Sequence, residues 1–202
     1  MNFSKFGLVI GTALAMTGCV NANVSVPSAC DSQVVSFPVT GLPAVPPGFT
    51  CTSAPIPPGE STPPYSTTQK FDFSGALNQN TSGVDITAQI TQLVLDNANG
   101  DLSWVPSLEV DITGATPTTP KVKLATYTAP VGGAGSELDV TVVLDGDMVL
   151  SYLKSGQVTL TFTIGSAPIT SSLLCKLQSL NGTVSTTANM CVSAQASVTK
   201  SL

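Results

Sequence analysis

The chain has 202 residues, a formal charge of −5, 42% apolar residues and only 9% charged residues, which favours one ordinary domain over two. It contains no His and no Arg, so an imidazole base, a His-ligated metal and a phosphate-binding basic surface are excluded, and nucleic acid with them. Its 26 Thr, 23 Ser, 15 Pro and 17 Gly suit strands and turns better than long helices.

Lys5 precedes the apolar run 6–16. That run falls short of the roughly 20 apolar residues a bilayer span needs and fits the apolar stretch of an export signal. Met16-Thr17-Gly18-Cys19 then resembles the lipobox of bacterial lipoproteins, with an apolar residue at −3, small residues before the cut and Cys at +1. The resemblance implies that residues 1–18 are removed as a signal peptide and that Cys19 becomes the N-terminus. It further implies a thioether-linked diacylglycerol on Cys19 and an acyl group such as palmitate on its amine. An ordinary secretory cut after Val20-Asn21-Ala22 is the alternative. Val20 stands where an Asp would mark inner-membrane retention in enteric bacteria, so the resemblance points to a lipid-anchored outer-membrane protein of the bacterial cell envelope. Loss of Lys5 leaves six Lys against twelve acidic residues, a net −6. Lipid rather than charge would then do the attaching.

Five Cys in an exported chain leave one unpaired, and lipidation of Cys19 removes the odd one. The remaining Cys30, Cys51, Cys175 and Cys191 admit three connectivities. Their separations favour Cys30 with Cys51 and Cys175 with Cys191, each loop contributing about 3 kcal/mol. There is no Cys-x-x-Cys pair to suggest a redox site or a zinc ribbon.

Ten of the fifteen prolines lie between Pro27 and Pro64. Proline cannot donate ladder hydrogen bonds and favours extended polyproline backbone, so residues 19–68 read as a lipidated N-terminus with a semi-stiff stalk. The competing reading is an irregular subdomain lying on the folded domain, with 34–37 as an edge strand.

From Gln69 the apolar period becomes two. Val84, Ile86, Ala88 and Ile90 alternate with polar residues, and Leu93 and Leu95 continue on the other parity, which predicts a β-bulge at Thr91-Gln92. Asn99-Gly100 and Asn181-Gly182 offer hairpin turns. Leu108, Val110 and Ile112, then Val122 and Leu124, then Leu138, Val140, Val142 and Leu144 mark strands with one buried face. A meander of these would set Glu109 and Asp111 against Lys121 and Lys123, and those against Glu137 and Asp139. Residues 147–156 carry an Asp cap, apolar residues three to four apart and a closing Gly, the pattern of a short helix. Residues 158–164 and 192–198 alternate again. The whole predicts an all-β domain over 69–202, an antiparallel β-sandwich of immunoglobulin-like shape with one helical connection.

Candidate chemistry is sparse. Ser151-x-x-Lys154 matches the Ser-x-x-Lys pair of penicillin-binding proteins and serine β-lactamases, yet Ser-Asp-Asn and Lys-Thr-Gly companions are missing. Asp96, Asn97, Asn99 and Asp101 could offer oxygens to calcium, as could Asp145 and Asp147, but the spacing fits no EF-hand and an Asn-Gly hairpin flanked by polar residues is the preferred reading of the same letters. Glu109 with Asp111, or Glu137 with Asp139, would need a raised pKa in one partner for glycoside hydrolysis, and the nearby Lys residues oppose that. Trp104 reads as a core or boundary residue beside Pro106. Sequons at Asn23, Asn80 and Asn181 matter only in a host that N-glycosylates. The expectation is a non-enzymatic lipoprotein with no cofactor and no metal site. It meets the membrane through Cys19 and meets a protein partner or its own copies through the sandwich. Docking by strand addition is the alternative, and a Ser151/Lys154 hydrolase is the alternative from another class.

Overall fold

The computed structural model describes residues 20–42, 60–74, 85–96, 102, 104–114, 119–130, 137–144, 146–153, 156–180 and 182–200. Nine strands and two helices follow in chain order among them: β1 (Val20–Pro38), β2 (Tyr65–Asp72), β3 (Asp85–Asp96), β4 (Ser107–Gly114), β5 (Val122–Thr128), β6 (Glu137–Asp139), β7 (Thr141–Val142), α1 (Gly146–Leu153), β8 (Gln157–Ile164), α2 (Ser171–Ser179) and β9 (Thr183–Lys200). They form two antiparallel sheets, β1-β9-β3-β6 and β2-β8-β4-β5-β7, packed face to face as the predicted sandwich.

The alternating runs bury one face as expected. Leu108, Val110 and Ile112 of β4 and Val158, Leu160, Phe162 and Ile164 of β8 are all within 1% of full burial, and they meet Val35, Phe37, Leu93, Leu95, Ala188 and Met190 of the other sheet. At Thr91 the register of β3 against β9 slips between Ile90 and Gln92, the predicted bulge. Helix α1 packs on β3, β4 and β8 and plugs the end of the sandwich from which β8 starts. Gly156 ends this connection with φ +73°, and a Cβ there would lie 2.6 Å from the Ser74 Cα. Gly156→Ala should therefore cost about 1–3 kcal/mol from left-handed backbone alone, with the clash added. Thermal unfolding would check this, and an unchanged midpoint would refute it.

Several sequence expectations are corrected. The stalk expected over 19–68 is replaced in its first part by a 19-residue strand, β1, and in its last part by the start of β2. Pro27 falls where β1 slips against β9, between Val26 and Ala29, and Pro38 closes the strand, so neither has to supply a ladder hydrogen bond. The stretch 43–59 lies outside the described residues, but its flanks are held together at one end of the sandwich. Val39 N–H donates to the Gly182 carbonyl (2.9 Å), Thr62 N–H to Ala167 (2.8 Å) and Ile169 N–H to Glu60 (3.0 Å). The two flanks of the proline-rich segment thus lie at the same end of the domain.

The run 138–144 is not one strand. β6 pairs with β3 in one sheet and β7 with β5 in the other, and buried Val140 marks the crossing. Only half of the charge meander survives: Lys121 meets Asp111 at 2.8 Å and Lys123 meets Glu109 at 2.5 Å, while Glu137 stands opposite Asp96. β3 and β4 lie in different sheets, so 97–101, outside the described residues, does not join paired strands. Gly182 (φ +78°) serves a turn from α2 into β9 rather than a hairpin.

Candidate functional site at the first strand

The chemical candidates that fall among the described residues are engaged within the fold. Ser151 Oγ donates to the Met148 carbonyl at 2.6 Å, so its proton is committed to its own helix; Lys154 lies outside the described residues. Glu109 and Asp111 are tied to Lys123 and Lys121. Glu109 beside it, through a hydrogen bond and its charge, holds the Lys123 ammonium above its ordinary pKa, the electrostatics of a register-setting pair rather than of an acid–base dyad. Of the calcium candidates, Asn97, Asn99, Asp101 and Asp145 lie outside the described residues, and no cluster of three or more acidic, Cys or His ligands occurs among the described ones.

Trp104 is a core residue as expected. It meets Tyr65 edge-on with ring centroids 6.4 Å apart. Trp104 Nε1 and Tyr65 Oη are buried and have no hydrogen-bond partner among the described residues. Burial pushes the Tyr65 pKa above its ordinary value. A raised tyrosine pKa means that the unfolded chain releases its proton first. Stability is then unaffected below about pH 10 and is lost as pH rises from there through the folded value. Tyr65→Phe should flatten that alkaline slope, leaving the share from Tyr127, whose pKa burial also raises. At neutral pH it should be neutral or stabilising by up to about 1 kcal/mol, because no partner is orphaned. Chemical denaturation at pH 8 and above pH 10 would test both halves.

The feature that gathers most of the unusual residues is β1. It is an edge strand of the four-stranded sheet and begins at Val20, the residue after Cys19; Cys19 itself lies outside the described residues. Its register runs from Val20 opposite Lys200 to Pro38 opposite Thr183, so the first strand lies along the last over their whole lengths. Cys30 faces Cys191 directly and is bonded to it, with Cα atoms 4.0 Å apart. This overturns both local bridges expected from spacing. Cys175, on α2, is disulfide-bonded as well, and its partner is not Cys191. Cys51 lies outside the described residues.

Around the bridge, the polar side of the sheet is cross-linked by hydrogen bonds from Ser32 to Asn189 (2.6 Å) and between Ser36 and Ser185 (3.0 Å). Val34 stands out at 64% exposure on the same side. At the edge, β1 meets β2 through side chains. The Asp31 carboxylate accepts from the Asp72 backbone N–H (3.0 Å) and from Gln33 Nε2 (3.0 Å), and Gln69 Nε2 reaches Gln33 Oε1 (3.3 Å). Asp72 accepts in turn from Ser74 and Gln157, and these hydrogen bonds, that from Ser74 first, hold its carboxyl below the usual range.

Sequence reasoning missed α2. Its signal was present: Thr170 is an N-cap whose Oγ1 accepts from Leu173 N–H at 3.2 Å, and Leu173, Leu174 and Leu177 follow at helical spacing and are buried. No helix among the described residues is long and apolar enough to cross a membrane. No protein-family model matches the chain, and no curated protein is significantly similar to it.

Proposed function

We propose that the protein is a lipid-anchored, non-enzymatic component of the bacterial cell envelope, whose sandwich serves adhesion, structure or the binding of a protein partner. The observation that carries this reading is the lipobox-like Met16-Thr17-Gly18-Cys19 set immediately before an ordered strand. Cysteine arithmetic supports it. Cys30 and Cys191 are paired with each other and Cys175 is bonded, so a lipidated Cys19 leaves Cys51 as the partner of Cys175 and no thiol over. The absence of His, the Ser151 hydroxyl directed to its own helix and the acids engaged by Lys favour binding over catalysis. Val20 after Cys19 favours the outer membrane by the same resemblance.

Docking by strand addition is a second reading with one observation in its favour. Strand β1 pairs on one side only with a strand among the described residues, and an edge strand is the usual docking point for an added strand.

Intact mass spectrometry of protein extracted from its native membranes tests the anchor. The expected mass begins at Cys19, carries acyl chains and rises on reduction by the hydrogens of two bridges. Cys19→Ser should move the protein into the soluble fraction without changing its thermal midpoint. A chain starting at Asn23 without lipid would overturn the reading.

A further inference from the structure

The Cys30–Cys191 bridge lies on the outer side of its sheet. Cys30 shares its face of β1 with Ser32, Val34 and Ser36, and all four are exposed. On β9 the flanking Met190 and Val192 belong to the core, whereas Cys191 between them does not. The ladder passes the bridge in register, with Ala29 opposite Val192 on one side and Asp31 opposite Met190 on the other. Backbone hydrogen bonds and core side chains therefore hold the two strands together here alongside the covalent bond. Opening that bond withdraws no side chain from the core and leaves no cavity in it.

The two sulfurs are not equivalent. Cys30 is exposed, while Cys191 is only 8% exposed. In thiol–disulfide exchange a thiolate approaches one sulfur and the other departs, so access selects Cys30 Sγ as the atom attacked and Cys191 Sγ as the leaving group. The fold holds a partner for that leaving group. Gln92 stands opposite Cys191 where β3 resumes after its bulge, and its Oε1 lies 3.7 Å from Cys191 Sγ, within reach of a sulfur donor. In the closed bridge Cys191 has no proton to donate. The contact becomes a hydrogen bond only when Cys191 is a thiol, which favours the open state over what the bridge alone would allow.

We propose that Cys30–Cys191 is a reversible redox site, opened by an external dithiol while the sandwich stays folded. One thiolate of the dithiol bonds to Cys30 Sγ as the Cys30–Cys191 bond breaks, and Cys191 departs with the electron pair and takes up a proton. The second thiol of the reductant then attacks the reductant's own sulfur in the mixed disulfide and releases Cys30, which is protonated in turn. The dithiol ends as a disulfide, and the protein gains two electrons and two protons as two thiols. In the open state no covalent bond ties the first part of β1 to β9, whereas buried Val35 and Phe37 still hold its second part in the core. The inference goes beyond the anchor reading and does not depend on it, because a chain starting at Cys19 or at Asn23 contains the same bridge.

The test uses the full oxidised chain in native buffer, with poised mixtures of reduced and oxidised dithiothreitol as the dithiol, iodoacetamide as the trap and peptide mapping by mass as the readout. Alkylation should appear on Cys30 and Cys191 at a reductant level that leaves Cys175 unlabelled, with the near-ultraviolet circular dichroism of the sandwich retained. A brief pulse of glutathione should place its adduct on Cys30. Gln92→Leu should need several-fold more reductant for half opening, with the thermal midpoint of its oxidised form as the check on folding. Opening only with loss of the dichroism, labelling of Cys175 at the same reductant level, or an adduct on Cys191 would overturn the proposal.

Discussion

Replacing Cys30 and Cys191 together by Ser is expected to lower stability by about 4–5 kcal/mol and the thermal midpoint by roughly 10–20 °C. The bridge joins residues 161 apart, and closing so long a loop removes more entropy from the unfolded chain than either local bridge would. The double variant leaves no stray thiol to mispair with Cys175 or its partner. Calorimetry of the variant against the parent gives the size of the effect, and peptide mapping under non-reducing conditions gives the connectivity. A shift of only a few degrees would show that the β1–β9 pairing holds without the covalent link, and would count against the entropic account. The hydrogen-bonded ladder from Val20 to Pro38 is the reason to perform the experiment at equilibrium, since a slow-peeling strand could mask the loss in a fast scan.

Phe162→Ala should cost about 3–5 kcal/mol, the range for removing an aromatic ring from a closed core. Phe162 is fully buried at the middle of β8, with β2 on one side and β4 on the other, and its ring lies 6.5 Å from that of Phe71. Because both neighbours are strands in a continuous ladder, the site cannot collapse by moving a loop, which favours the upper part of the range. Phe71→Ala should be comparable, and the double variant should lose less than the sum because the two cavities merge. Urea denaturation of the three variants provides the measurement; a loss below about 1.5 kcal/mol for Phe162→Ala would mean that the core repacks.

What could be read from the sequence was local. Strands β4 and β8 were visible because one face of each is buried, so every second residue had to be apolar. The bulge at Thr91 was visible because a single extra residue inverts that parity. Partner choice was not visible. Nothing in residues 20–38 names 183–200 as their complement, since many alternating segments in this chain would fit as well, and the tertiary fold made the selection. The disulfides followed the same logic: spacing pointed to near neighbours, whereas the register brought together the first and last strands. Proline content misled because prolines were counted as a composition, whereas their effect depends on position; Pro27 at a slip and Pro38 at a strand end interrupt nothing. For the candidate site, the motif around Cys19 was legible as four adjacent letters. That it borders a strand paired along the last strand of the chain required the coordinates.

The bridge between the outermost and penultimate strands of the four-stranded sheet also sets how the protein would respond to a pull. Tension applied at Val20 acts on the hydrogen bonds of the first ten residues of β1, which are free to yield one after another. At Cys30 the load meets a covalent bond and is shared with β9, itself paired on its far side to β3. Stretching therefore stops at that point before reaching Val35 and Phe37, and the sandwich behaves as a bead on a short extensible leash with a fixed mechanical stop.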